Sequence, residues 1–297
     1  MRPRVVAAVA AVVAGCGGGD PAEAPRAATS SRPPALCAAL RARISGRVRD
    51  PTATELSGLV RSRTQRDLLW SHNDSGAGPE LYGLRADGRV AARPQVTGAQ
   101  AVDWEDIAAG PAPGGASLLY IGDIGDNASS RPSIDVYRVP EPKVGDTVTA
   151  AAVRLRLRYP DGPHDAEALL VDPLRGDLVI VTKFLGGARA YHTAARAPAG
   201  SYTLKPGPSV DLSFVTAGDV SADGRVVVLR GYDRVGVWVR RGRERITTTL
   251  ARAPCVSPTS LAGEGQGEAI ALDRRGTSFL TVAEGSPAVI RRYAPGG

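Results

Sequence analysis

An acidic residue followed by a β-rich stretch recurs along this chain about every fifty residues, and that period constrains the fold more than any other feature. The runs open at Glu55, Glu105, Glu167, Asp219 and Glu268, with gaps of 50, 62, 52 and 49 residues. Each acid is followed by an apolar strand, a tight turn, a second strand, a loop and a third strand. In the third unit, residues 167–172 read as the first strand, 173–176 as the turn, 177–184 as the second strand and 189–193 as part of the third. Asp-Gly pairs between β-branched runs, as at Asp223-Gly224, signal hairpins. No segment sustains a helical period. Small antiparallel units in series point to an all-β propeller. The count gives five four-stranded blades. A sixth is possible if the longest interval hides one, but residues 140–149 read as a long linker. A two-sheet sandwich is the rival fold, and the regular spacing argues against it.

Closure supplies a further expectation. The last unit, from Glu268, has strands near 278–283 and 288–293, and then the sequence given stops. Residues 40–48 precede the first unit and are otherwise unassigned. They can supply the missing outer strand and remove an exposed sheet edge. That closure brings Cys37 beside the last blade and toward Cys255. A disulfide between them is expected, with two separate buried thiols as the alternative. Closing so long a loop is worth up to about 4–5 kcal/mol in the chain-entropy model.

Ahead of this lies a leader. Met1-Arg2-Pro3-Arg4 precedes an apolar run from Val5 to Val13, then Ala14-Gly15-Cys16. The run is too short for a permanent span, which needs roughly 20 apolar residues. Residues 1–16 resemble a bacterial lipoprotein signal peptide with Cys16 as its lipidated residue. Residues 17–36 are rich in Gly, Ala, Pro, Ser and Thr and read as a flexible tether. The folded domain is expected over 37–297. These features together predict an extracytoplasmic protein, lipid-anchored to the bacterial cell membrane. The net charge is +7. Its arginines look scattered along the sequence, so no nucleic-acid partner is expected, and the charge suits solvated surface or anionic envelope polymers. A monomer is expected.

In a propeller the first strand of each blade lines the central channel. Starts of first strands and ends of second strands then share one face. The unusual motifs all fall there: Glu55, Asp103-Trp104-Glu105-Asp106, His164-Asp165-Ala166-Glu167, Asp219, Glu264 and Glu268, with His72-Asn73-Asp74, Asp123, Asp126, Lys183, Arg230 and Glu284. The opposite face receives bland turns. Crowded carboxylates repel unless a cation or donor compensates. Hard oxygen donors suit Ca²⁺, which takes about 6–8 oxygens, or another divalent ion. Glu55, Asp103, Glu105, Asp123, Asp126, Glu167 and Glu268 are the candidate ligands. Alternatively, such acids cap backbone N–H groups of neighbouring blades. Lys183 and Arg230 are candidates for binding a small anionic substrate, or for neutralising carboxylates. Asp165 or His72 is the candidate general base. His72 and His164 could form a transition-metal site, or serve as hydrogen-bonding loop residues. Trp104 and Tyr232 could stack on a ligand or pack between blades. No Gly-x-Ser-x-Gly, His-Glu-x-x-His, P-loop or Cys-x-x-Cys motif occurs.

The combination SHNDSG (71–76), DWEDIA (103–108), YIGDIGDN (120–127), RYPDGPHDAEALLVDP (158–173) and QGEAIAL (266–272) resembles a group of exported actinobacterial β-propeller lipoproteins. It covers most of residues 54–294. More distantly, the plan resembles phytase-like and gluconolactonase-like propellers. That resemblance implies acids on one face holding Ca²⁺, which binds substrate and activates water. The paired-Asp opening and lysine cluster of a phytase are missing here. Two functions follow as expectations: a metal-dependent hydrolase of phosphoesters, esters or lactones, or a non-catalytic lipoprotein that binds a ligand or partner.

Overall fold

The computed structural model describes residues 34–111, 116–193 and 197–296. The leader, Cys16 and the tether up to residue 33 lie outside the described residues. Strand β1 (Leu40–Val48) precedes the first blade. Blade one is β2 (Leu56–Arg61), β3 (Leu69–Asn73), β4 (Tyr82–Leu84) and β5 (Val90–Ala92). Blade two is β6 (Trp104–Pro111), β7 (Ser117–Asp123), β8 (Ile134–Pro140) and β9 (Val153–Arg158). Blade three is β10 (Ala166–Val171), β11 (Leu178–Thr182) and β12 (Ala188–Thr193). The chain then adds β13 (Gly200–Thr203) to the edge of blade two, parallel to β9, before β14 (Lys205–Val210) completes blade three. Blade four is β15 (Ala217–Val220), β16 (Val226–Arg230), β17 (Val235–Val239) and β18 (Cys255–Val256). Blade five is β19 (Gly267–Leu272), β20 (Phe279–Ala283) and β21 (Ala288–Pro295), with β1 as its outer strand.

The innermost strands β2, β6, β10, β15 and β19 pack each against the next, and β19 returns to β2. The fold is therefore a five-bladed propeller. The stretch after Pro140 runs back to blade one, where the Gln95 N–H donates to the Thr147 carbonyl and the Gln95 carbonyl accepts the Thr149 N–H. It is a linker and holds no sixth blade.

Alternation explains why the ring is stable. Every central strand is buried on both faces, so successive side chains enter different interfaces. Leu169 packs between blades two and three, while Leu170 packs between blades three and four. The core accordingly divides into five clusters, one in each interface between neighbours.

Closure follows the expected plan. Strand β1 pairs antiparallel with β21 from Leu40 opposite Pro295 to Val48 opposite Ala288. Its start is fixed to blade four by the Cys37–Cys255 disulfide, with Cα atoms 5.9 Å apart, and by the Leu40 N–H on Thr259 Oγ1 at 2.7 Å. Its far end meets blade one. A Cβ on Gly46 would lie 2.1 Å from the Asp87 carbonyl carbon, so only glycine fits this approach. One strand thus links three blades. The folded domain also takes in residues before 37, because Ala35–Cys37 form a 3₁₀ turn and Leu36 is buried in the cluster between blades four and five. Replacing both cysteines by serine is expected to lower the unfolding free energy by up to about 5 kcal/mol. Urea unfolding measures it, and an unchanged midpoint would contradict the role of this link.

Candidate metal centre

Three of the recurring acids reach the axial face by the same device. Glu105, Glu167 and Glu268 are each the second residue of an innermost strand, and each is the extra residue of a register shift against the second strand. A bulge of this kind re-aims the inserted side chain. It turns each carboxylate toward the axis while its neighbours stay in the ladder. The equivalent residue in blade one is Ser57, and in blade four it is Gly218, where the register is regular. Backbone bonds fix this alignment. In blades one, three and five the residue after the second strand donates its N–H to the carbonyl two positions before the axial residue: Asp74 to Glu55, Lys183 to Asp165, and Glu284 to Gln266. Glu55 therefore corresponds to Asp165 and Gln266, and is exposed at the rim rather than axial.

Asp219 is not an axial ligand either. Its carboxylate accepts the N–H groups of Val220 and of Leu272 in the next blade, at 2.7 Å each. Buried Asp106 does the same, accepting from Ile107, Leu169 and Gly218. Both are inter-blade caps, the alternative role weighed for the ring acids.

The residues that complete the centre are Asp74 and Glu284, which follow β3 and β20. Sequence reasoning put them on this face but not among the ligands. The signal was their equivalence to Lys183 at the exit of the second strand. Oxygens of Asp74, Glu268 and Glu284 lie within 4.8 Å of one another, as do those of Asp74, Asp103 and Glu105. Asp74 is common to both triads. Its Oδ1 is buried without a hydrogen-bond partner, as is Oε2 of Glu167. Gly125 keeps the floor open: a Cβ there would lie 2.3 Å from Glu105 Oε1 and 2.5 Å from Asp103 Oδ2.

The electrostatics match this crowding. Burial, then the charges of Asp103, Glu268 and Glu55, push the Asp74 carboxyl up to about 6, against one Ser75 N–H that holds it down. Burial and the bond and charge of Glu268 raise Glu284 to about 8. Burial also lifts Glu105, and the neighbouring carboxylates add to it. Glu167 is raised by burial but held back by Lys183, whose ammonium is hydrogen-bonded to it.

The other expected site residues have different tasks. Asp123 pairs with Arg131 at 2.7 Å and accepts the N–H groups of Val102 and Asp103. Asp126 accepts from the N–H groups of Ser130 and Arg131. Both carboxylates brace the loops beside the centre through these bonds. Arg230 is fully buried on Glu264 at 3.0 Å, so it cannot meet a substrate. His72 is also fully buried, its Nδ1 on the Asn73 carbonyl at 2.9 Å, and burial lowers its pKa to about 4. A base that water and substrate cannot reach is excluded. His164 bonds instead to Asp161 and Tyr191 at 3.0 Å each, apart from His72. Trp104 packs against the His72 ring. Asp165 is half-buried, with Oδ1 accepting the Asp126 N–H at 2.9 Å. Lys183 does lie in the centre, 5.4 Å from the Tyr232 ring centroid.

The sequence matches no protein-family model and no curated protein. Solved structures similar to this one include a gluconolactonase from Xanthomonas campestris, 12% identical over 86% of this chain and 89% of that chain, with a TM-score of 0.46. A luciferin-regenerating enzyme is 10% identical over 86% of this chain and 95% of its own, with a TM-score of 0.45. The soluble aldose sugar dehydrogenase of Escherichia coli is 10% identical over 86% of this chain and all of its own, 100%, with a TM-score of 0.47.

Proposed function

We propose that the axial face binds a hard divalent cation, Ca²⁺ by its donor chemistry, and that the protein is a cation-dependent hydrolase of phosphoesters, esters or lactones. The observation that supports it is the pair of carboxylate triads sharing Asp74, whose Oδ1 has no protein partner. Oxygen-only donors select hard ions over soft ones. Asp74, Glu268 and Glu284 would hold the ion, with Asp103 and Glu105 on the other side of Asp74. An ion there supplies Lewis acidity. Asp74, Asp103 and Glu284 are only half-buried, so the donors face solvent on one side and a substrate can approach. Lys183 lies beside them to meet an anionic group. Asp165 keeps one oxygen outside its bond to Asp126 and is the assigned base. Phe184 and Leu185, 63% and 67% exposed just after Lys183, give the rim an apolar lip that suits a substrate with an apolar part.

Calcium titration of the purified chain, followed by a panel of nitrophenyl phosphates, esters and lactones, tests this reading. Saturable binding and Ca²⁺-dependent turnover are expected. Glu105→Gln should abolish turnover. Gly125→Ala should weaken Ca²⁺ binding at least tenfold, because its methyl group displaces two carboxylates. Binding without turnover on the whole panel would withdraw the hydrolase and leave a ligand-binding protein.

The reading includes an anchor at Cys16 and a place outside the cytoplasm. The Cys37–Cys255 disulfide supports it, since such bonds persist in oxidising compartments. Mass spectrometry of the mature N-terminal peptide should find lipid on Cys16, and an unmodified Met1 terminus would refute it.

A further inference from the structure

The turns that look bland in sequence enclose the other mouth of the channel, and that mouth is basic. Two adjoining hollows of about 230 and 650 Å³ lie there, between the ends of β2, β15 and β19. Arg61, Ser62, Asp273 and Arg274 line both. Arg63 and Asp219 line the inner hollow, over a floor that includes Val60, Val220 and Leu272. Arg66, Asp67 and Arg292 line the outer one. Together they bring five arginines against three aspartates, an excess of two positive charges. Arginines far apart in sequence have been gathered by the fold.

Two of the three aspartates are committed elsewhere, while Asp67, at the outer hollow, acts on Arg61 only at a distance. Asp219 caps two backbone N–H groups, and Asp273 accepts from Arg275, Thr277 and Ser278. Glu141, beneath the turn, is taken up by Ser62, the Arg63 N–H and the Trp70 indole. They attract the cations at a distance: Asp273 and Asp219 act on Arg61, and Asp219 and Glu141 on Arg63. Of the guanidinium groups, Arg61 gives only its Nε to a protein acceptor, the Leu272 carbonyl at 3.0 Å. Among the described residues, the side chains of Arg63, Arg66, Arg274 and Arg292 donate no hydrogen bond and join no ion pair. Arg61 and Arg63 are nonetheless half-buried, and burial lowers the pKa of each. A partly buried cation that makes no direct ion pair is costly unless an anion completes it.

We infer that this mouth is a binding site for a phosphate monoester, its oxyanion held by Arg61, Arg63 and Arg274 and its organic part resting on Val60, Val220 and Leu272. The excess of two charges matches a dianion, and planar guanidinium forks match phosphate oxygens. The ligand is a soluble organic phosphate or a lipid headgroup of the same chemistry. The outer hollow continues through Arg292 to Arg41 and Arg43 on β1, so the basic surface extends to the strand that follows the chain's N-terminal segment.

Calorimetry of the full chain with phenyl phosphate, and co-sedimentation with vesicles containing phosphatidic acid, separate the two sources. One-to-one binding of phenyl phosphate, or sedimentation dependent on phosphatidic acid, is expected. Arg63→Gln should weaken it at least tenfold. That side chain makes no protein hydrogen bond, so folding is expected to survive. Exposed Arg274→Gln provides a second variant, expected to weaken binding severalfold. EDTA, which removes any cation from the opposite mouth, should leave this binding unchanged. Absence of binding to both probes, binding untouched by both arginine variants, or tighter binding of benzoate than of phenyl phosphate would overturn the assignment.

Discussion

Asp172→Ala is expected to destabilise the protein by about 3–5 kcal/mol. Asp172 sits in the turn between β10 and β11. Its two oxygens accept from both terminal nitrogens of Arg240, at 2.8 and 2.7 Å, and neither side chain is exposed at all. Arg240 comes from the end of β17, so this pair fastens blade four to blade three. Its Nε also donates to the Glu244 carbonyl, and Asp172 accepts the Leu174 N–H. Losing the carboxylate strands a guanidinium in the interior, which is the expensive half of breaking such a pair. Arg240→Met should cost less alone, and in combination with Asp172→Leu should recover much of the loss. Urea unfolding of the two single variants and the double variant measures the coupling. Single losses below about 1 kcal/mol would show that solvent reaches the pair.

The second large effect concerns the axial centre. Asp74→Asn should abolish stabilisation by Ca²⁺, because both triads lose their shared member. In wild-type protein, Ca²⁺ at a hundred times its Kd should add about 2.7 kcal/mol. Without the cation, stability should fall as pH rises. The carboxyls of Asp74 and Glu284 titrate in the folded protein near 6 and 8, above ordinary values, so the folded state holds more protons than the unfolded chain from about pH 4 to 8. Over that window each rise in pH favours unfolding. Bound Ca²⁺ should reverse the slope, since it displaces those protons. Thermal melts at pH 5, 6, 7 and 8, with EDTA or with Ca²⁺, read both slopes. A melting temperature that rises with pH in EDTA would refute the crowding of these acids.

Much of the architecture was legible in the sequence, and the reason is local. Strand alternation and Asp-Gly turns act over a few residues, so the number of blades could be counted. The bare edge of an incomplete last blade demanded a partner, and residues 40–48 were the strand without one. The site was legible only to within a residue or two. The bulge that aims Glu105, Glu167 and Glu268 at the axis leaves no mark in composition and is absent at Gly218, so the acid that opens a run is not always the acid that reaches the axis. In blade one the axial residue is Ser57, two past Glu55, and in blade four it is Gly218, beside Asp219. Burial separated the remaining candidates. Arg230 and His72 lie at strand ends that face the centre, yet their side chains run sideways into the packing between blades. The convergence of arginines at the opposite mouth was hidden for another reason. Arg61 and Arg63 are more than two hundred residues from Arg274, and only ring closure makes them neighbours.

Strand β1 also sets an order of events. Among the described residues it is the first strand to be made, and its partner β21 is the last. Strand β1 must therefore wait, unpaired, until the fifth blade has been made. A chain stopped before the fifth blade would be an open crescent with two bare sheet edges, a form suited to sticking to its own kind. Interrupted production of this protein should therefore leave aggregates or degraded chains, and never a smaller ring that still works.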